Sequence, residues 1–116
     1  MPIAHITVAP DLSGTVAEQG AALTKGVTDI LTAGLGARAE LVQIGITAAL
    51  TAPGGCDVLC VVHHRGSEQR SMAVRSDVAQ ALHDLLRDAT DRTTRVRLIA
   101  LGPDDIAAAD SPEALA

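Results

Sequence analysis

Residues 1–10 read MPIAHITVAP, and the rest of the chain is organised around them. Ile6 and Val8 fall on one side of an extended chain and His5 and Thr7 on the other, with Ile3 and Ala4 opening the segment and Pro10 ending it. The pattern predicts a strand that begins almost at the first residue. Were Met1 removed, Pro2 would present a secondary amine on a strand anchored in the core, held still where a frayed terminus would not be. The plain alternative is that Pro2 merely precedes a strand, at a position that needs no ladder donor.

Working outward, the DLSGT segment offers caps for a helix: Ser13 alone, or Thr15 with Glu18 as a capping box. Val16, Leu23, Val27, Ile30 and Leu31 then recur at helical spacing over about five turns. Gly20 and Gly26 weaken this helix locally, and Gly34 or Gly36 ends it in a left-handed position. Residues 40–47, ELVQIGIT, read as a second strand, with Val42, Ile44 and Ile46 on its apolar side and Leu41, Gln43, Gly45 and Thr47 on the other. After a Pro-Gly-Gly connector the pattern starts again. Residues 57–63, DVLCVVH, form a nearly unbroken apolar strand that predicts an internal position. A polar loop follows, then Ser71 caps a second helix with Val74, Val78, Leu82, Leu85, Leu86 and Ala89 on one stripe. Residues 95–101, RVRLIAL, make the fourth strand, closed by Gly102-Pro103.

The chain is therefore a tandem of two β-α-β units, 2–47 and 57–101, alike in architecture rather than in residue identity. Each unit predicts parallel strands joined by a crossover helix. The expected fold is α/β (α+β): a four-stranded mixed sheet with two helices on one face, in one domain spanning 1–103, followed by an acidic, alanine-rich tail, 104–116. On this reading the Ile6/Val8, Val42/Ile44/Ile46 and Val58/Cys60/Val62 strands are too apolar to leave the helix-free face to water, which points to a homo-oligomer.

Composition excludes several classes of function. No Phe, Tyr or Trp occurs in the 116 residues, so there is no stacking platform for single-stranded nucleic acid. The formal net charge of -5 argues against binding a duplex. With no long apolar run and no basic-then-apolar leader, the expectation is a cytoplasmic protein without a membrane partner. Cys56 and Cys60, four apart in an extended stretch, would stand about 13 Å from each other, beyond disulfide reach. They lack zinc-ligand spacing too and read as small buried hydrophobes. No metal and no cofactor is expected.

With these pieces in place the chain resembles the tautomerase superfamily. PIAHITVAP is similar to the opening of the short oxalocrotonate tautomerase-type enzymes. The doubled β-α-β layout over residues 2–102 resembles the double-length members, such as macrophage migration inhibitory factor and the cis-chloroacrylic acid dehalogenase. HHRGSEQRS, His63 to Ser71, resembles the two-arginine segment of the dehalogenase branch, with about two extra loop residues between the arginines. The resemblance implies a trimer, and it implies that Met1 is removed and that the Pro2 nitrogen becomes the catalytic base or acid. It also implies that Arg65 and Arg70 hold a substrate carboxylate. Such chemistry is physically reasonable, because desolvation and neighbouring cations lower an amine's pKa toward neutrality. The amine can then take a proton from a carbon next to a carbonyl.

This sequence departs from the family pattern at several places. Asp11 and Leu12 stand where an arginine often follows the first strand, and Gln43 stands where the short enzymes carry a strand arginine. Ile30 or Leu31 stands where the dehalogenase branch has a helix histidine, and the pocket aromatics have no equivalent. Candidate substrate-binding residues are thus Arg65, Arg70, His64 and Gln43, with Pro2 catalytic. The bland accounts are solvated arginines and a solvated strand-end histidine at position 64. Arg75 reads as a surface residue with a supporting role at most. His5 and His63 lie in strands without metal-ligand neighbours, and His83 lies on the second helix beside Leu82. The favoured function is a cofactor-independent keto-enol tautomerase acting on a small alpha-keto or enol acid. The alternatives are an inactive binding or structural oligomer and, more remotely, a dehalogenase, hydratase or decarboxylase of a small unsaturated acid.

Overall fold

The computed structural model describes residues 2–115. The strands are β1 (Ile3–Val8), β2 (Gln43–Ala48), β3 (Val58–Arg65) and β4 (Thr94–Leu101), and the helices are α1 (Ser13–Leu35) and α2 (Met72–Thr90). The sheet order is β2-β1-β3-β4. β1 runs parallel to β2 and β3 parallel to β4, while the two units meet through the antiparallel β1–β3 pair. This is the expected four-stranded mixed sheet, with both helices on one face.

Three boundaries differ from the sequence reading: β3 runs on to Arg65 instead of ending at His63, which puts His64 and Arg65 on the strand, and two element starts shift for local reasons. α1 uses neither Ser13 nor the Thr15/Glu18 box as a cap. A 3-10 turn, Pro10–Leu12, runs straight into it, and the Leu12 N–H bonds to the Ala9 carbonyl at 3.0 Å. The first orphan donors of the helix are thereby satisfied by backbone. The second strand starts at Gln43 because Ala39–Leu41 forms another 3-10 turn, closed by Val42 N–H on Ala39 O. Elsewhere the local signals act as read. Ser71 caps α2, its Oγ accepting from the Val74 N–H at 3.2 Å, and Gly36 closes α1 at φ 67.

The assignment of sheet faces differs more. Strand alternation and the observed register put Ala4, Ile6, Val8, Val58, Cys60 and Val62 on a single face, and it is the helix-covered one, where all six are buried. Leu23, Val27, Leu31 and Leu35 of α1 and Val78, Leu82 and Leu86 of α2 close the core over them. The helix-free face carries instead the rows Gln43–Ile3–His63–Ile99, Gly45–His5–Val61–Arg97 and Thr47–Thr7–Leu59–Arg95. It is a mixed surface, with His5, Arg95 and Arg97 exposed. The three apolar strands invoked for an open face are thus the ones the helices already cover. Cys56 and Cys60 are free and buried, and burial pushes the Cys60 thiol up to about 12.

The helices pack closely. A Cβ at Gly34 would overlap Val78 Cγ2, and one at Gly26 would stand 3.0 Å from a methyl of Leu85. At the end of the sheet where β3 begins, Arg92 ties three segments together. It forks onto Asp11 at 2.8 and 3.1 Å and bonds Asp57 through Nε at 2.9 Å. Asp11 thus has a partner 81 residues away in the chain, and this cation holds its carboxyl below the ordinary aspartate value.

Candidate functional site

Pro2, His64, Arg70 and Arg75 gather at the opposite end of the sheet, where β1 starts and β3 ends. Pro2 is fully buried. It continues the pairing of β1 beyond Ile3, its carbonyl accepting from the Gln43 N–H at 3.0 Å. The antiparallel register ends with Ile3 opposite His63, so one further step sets Pro2 across from His64. Both side chains belong to the helix-covered face, because each lies one residue from a neighbour on the open face.

His64 is 0% exposed, where the sequence suggests a solvated strand end. Its parity on β3 is that of Val58, Cys60 and Val62, and that parity faces the helices. Its Nδ1 lies 2.9 Å from the Arg65 carbonyl. A carbonyl only accepts, so Nδ1 carries the proton and Nε2 a lone pair. Among the described residues, Nε2 is the buried side-chain polar atom without a hydrogen-bond partner. Burial holds His64 below the ordinary histidine value, and the charges of Arg70 and Arg75 add to this. The bond to the Arg65 carbonyl acts the other way without reversing it.

Arg70 contacts the Arg65 backbone, but the Arg65 side chain does not join it at the Pro2 end. Arg65 is exposed and has the parity of the helix-free face. Arg70 turns to the helix side, where its Nε donates to the Leu35 carbonyl at 3.0 Å and its Nη1 to the Arg65 carbonyl at 2.8 Å. It thereby satisfies a carbonyl at the C-terminus of α1, a position that favours a cation. Arg75, half-buried, donates through Nε to the Arg70 carbonyl at 3.2 Å. Arg75 therefore belongs with Arg70 and His64 rather than on an unattached surface. The signal for this was its position one turn into a helix capped by Ser71, which aims it back over the loop.

The Gln43 backbone bonds Pro2, but its side chain is directed elsewhere. Its side chain has the parity of the helix-free face and, with Ile3, Glu40, Leu41 and residues 106–110, lines a cleft of about 390 Å³. The tail thus passes along the β2 edge. Glu40 and Asp110 border that cleft, so it is a poor seat for a carboxylate. Pro2 is not among its lining residues. Met1, on whose removal the reactivity of Pro2 depends, lies outside the described residues. Among the described residues no His, Cys, Asp and Glu are grouped to hold a metal ion, and no helix is long and apolar enough to cross a membrane.

No protein-family profile matches the sequence, and no curated protein does. Solved structures do match in fold. One is the protein Pt0534 inactivated by 2-oxo-3-pentynoate, with a TM-score of 0.75 at 20% identity, covering 92% of this chain and 91% of that one. A wild-type fused 4-OT, an asymmetric trimer, gives 0.74 at 20% identity over 97% and 98%. A macrophage migration inhibitory factor-like protein from Entamoeba histolytica gives 0.71 at 11% identity over 95% and 96%. The fold is that of the tautomerase superfamily. The likeness is one of fold, and it extends along almost the entire length of this chain and of those structures.

Proposed function

We propose that this protein is a cofactor-independent keto-enol tautomerase acting on a small alpha-keto or enol acid, with the Pro2 amine as the group that moves the proton after Met1 is removed. The observation that carries the reading is the gathering of a fully buried Pro2 with a fully buried, neutral-leaning His64 and two cations, Arg70 and Arg75, at one end of the sheet. An amine desolvated beside positive charge has its protonated form disfavoured, which suits a base near neutral pH. Arg70 has committed two donors to carbonyls, so it contributes mainly positive potential that favours an anionic substrate or a developing enolate. Arg75, half-buried beside Arg70 and His64, offers the guanidinium for a carboxylate, and Arg65, whose side chain has the parity of the other face of β3, has a lesser claim. So has Gln43, since its cleft is bordered by acids. The inactivation of Pt0534 by a 2-oxo acid supports this substrate class. A homotrimer without a cofactor, working in the cytoplasm, completes the proposal.

The test has two parts. Intact mass is expected to show that Met1 is absent. Conversion of the enol form of an arylpyruvate to its keto form is expected to fall at least a hundredfold in Pro2→Ala, the range that one positioned proton-transfer group supplies. Unchanged turnover by a mass-verified Pro2→Ala protein would sink the reading. A second reading, an inactive oligomeric binding protein, draws on the closed surroundings of Pro2 and on the engagement of Arg70 with backbone carbonyls. Retention of Met1 would favour it, because the Pro2 nitrogen would then stay an amide.

A further inference from the structure

The bare acceptor on His64 and the nitrogen of Pro2 are matched in a way that neither residue shows alone. While Met1 is attached, the Pro2 nitrogen is a tertiary amide with no proton to donate. Across the strand pair, His64 Nε2 is buried and has no donor among the described residues. Natural folds rarely keep a buried polar atom without a partner unless it has a use. Removing Met1 would create a new donor, the Pro2 N–H, on the residue set directly opposite by continuation of the β1–β3 register. Residues paired in this way have Cα atoms about 5 Å apart, within reach of an imidazole.

We propose that in the chain beginning at Pro2 the amine donates its N–H to His64 Nε2, making His64 the positioning residue of the amine. This rests on the reading of Pro2 as the reactive group. A neutral prolyl amine has one N–H and one lone pair, and inversion at nitrogen interchanges their directions. Holding the N–H on Nε2 selects one arrangement and aims the lone pair away from the core. In turnover the lone pair takes a proton from the substrate carbon or enol oxygen, and nitrogen becomes an ammonium with two N–H bonds. One stays on Nε2, and the other proton goes to the alternative position on the substrate, which regenerates the amine. His64 neither gains nor loses a proton.

The surroundings keep the imidazole in the role of neutral acceptor. Nδ1–H is fixed on the Arg65 carbonyl. Arg70 from the loop and Arg75 from α2 both disfavour an imidazolium. α1 closes over this end with Leu31 and Leu35, and β4 contributes Ala100 beside His64. The acids of the nearby segments, among them Glu68 in the loop before Arg70 and Asp77 on α2, are exposed. Asp29 of α1 is exposed on Lys25, and Glu40 before β2 is exposed and bonded to Arg38.

The test uses the chain verified by intact mass to begin at Pro2, treated with methionine aminopeptidase where needed, with its five prolines and four histidines labelled with ¹⁵N. Only Pro2 would then carry a free amine, so its titration reads out without any substrate. A neutral acceptor favours the ammonium form. His64→Leu is therefore expected to lower the Pro2 pKa by about one unit, a tenfold change in its protonation equilibrium. His64→Gln, whose Oε1 still accepts, should restore part of the shift. In the unsubstituted protein, the His64 Nε2 resonance should move toward the hydrogen-bonded range when Met1 is taken off, a measurement that needs no variant. A Pro2 titration identical in His64→Leu and the parent would overturn the pairing, as would an Nε2 resonance indifferent to Met1. A His64-dependent titration without enol turnover keeps the pairing and rejects the tautomerase reading. Turnover with a His64-independent titration does the reverse.

Discussion

Gly34→Ala and Gly20→Ala make the same chemical change in the same helix, and the structure assigns them opposite outcomes. Alanine in place of glycine inside a helix stabilises by about 1 kcal/mol through backbone entropy alone. At Gly20 no atom lies within 4 Å of the added Cβ, so this gain is expected to appear undiminished. At Gly34 the Cβ would overlap Val78 Cγ2. Val78 is 3% exposed, and as a β-branched residue in mid-helix it has essentially one rotamer, so it cannot swing aside. Forcing the helices apart costs about 1–3 kcal/mol, which cancels or exceeds the propensity gain. The two variants should therefore differ by about 1–3 kcal/mol. With a urea slope of about 2 kcal/mol/M, their unfolding midpoints separate by about 0.5–1.5 M. The assay is urea unfolding followed by circular dichroism at one protein concentration, because subunit association would otherwise shift the midpoints. In a Val78→Ala background the penalty at position 34 should shrink. A Gly34→Ala protein as stable as Gly20→Ala would refute the close helix contact. It would also weaken the placement of Leu35 and Arg70, since α1 delivers the Leu35 carbonyl to Arg70 one residue later.

Two further predictions concern the scaffold. Ser71→Ala removes the side-chain cap of α2 and should cost about 1 kcal/mol in the same urea assay, while Ser71→Asn, which still caps, should cost little. Asp11→Asn should lower the unfolding midpoint at pH 7. The folded-state pKa of Asp11 is depressed by Arg92. The stabilisation is therefore present above the unfolded aspartate value of about 4 and lost as pH falls through the lower folded value. The gap between Asp11→Asn and the parent should accordingly close in strong acid, and a gap that persists there would remove the ion pair as its cause.

The local elements could be read from the sequence because their causes are local. Ser71 three residues before Val74, Gly36 after the last apolar turn, and the alternation of Ile6 and Val8 with Thr7 each act within a few residues of chain. The tandem units were legible for the same reason, and with them the fold. Pro2 stood out as a candidate through its position at the head of β1 taken together with the duplicated layout, the HHRGSEQRS segment and the resemblance these carry. What surrounds it was not legible, because that depends on pairings across the chain. His64 and Arg65 are neighbours of similar polarity in the sequence. The parity of β3 against two helices buries one and exposes the other, and parity is settled only when the sheet is assembled. Arg70 looks like a ligand-binding arginine until the end of α1, 35 residues earlier, brings the Leu35 carbonyl to its Nε. Asp11 looks like a lost arginine until Arg92 arrives from the turn between α2 and β4. The sequence by itself therefore determined the elements and their order, through propensities and caps that operate over short spans. Only the tertiary structure decided which side chains share the Pro2 end and which are already engaged, because hydrogen bonds and burial there join residues that the chain keeps far apart.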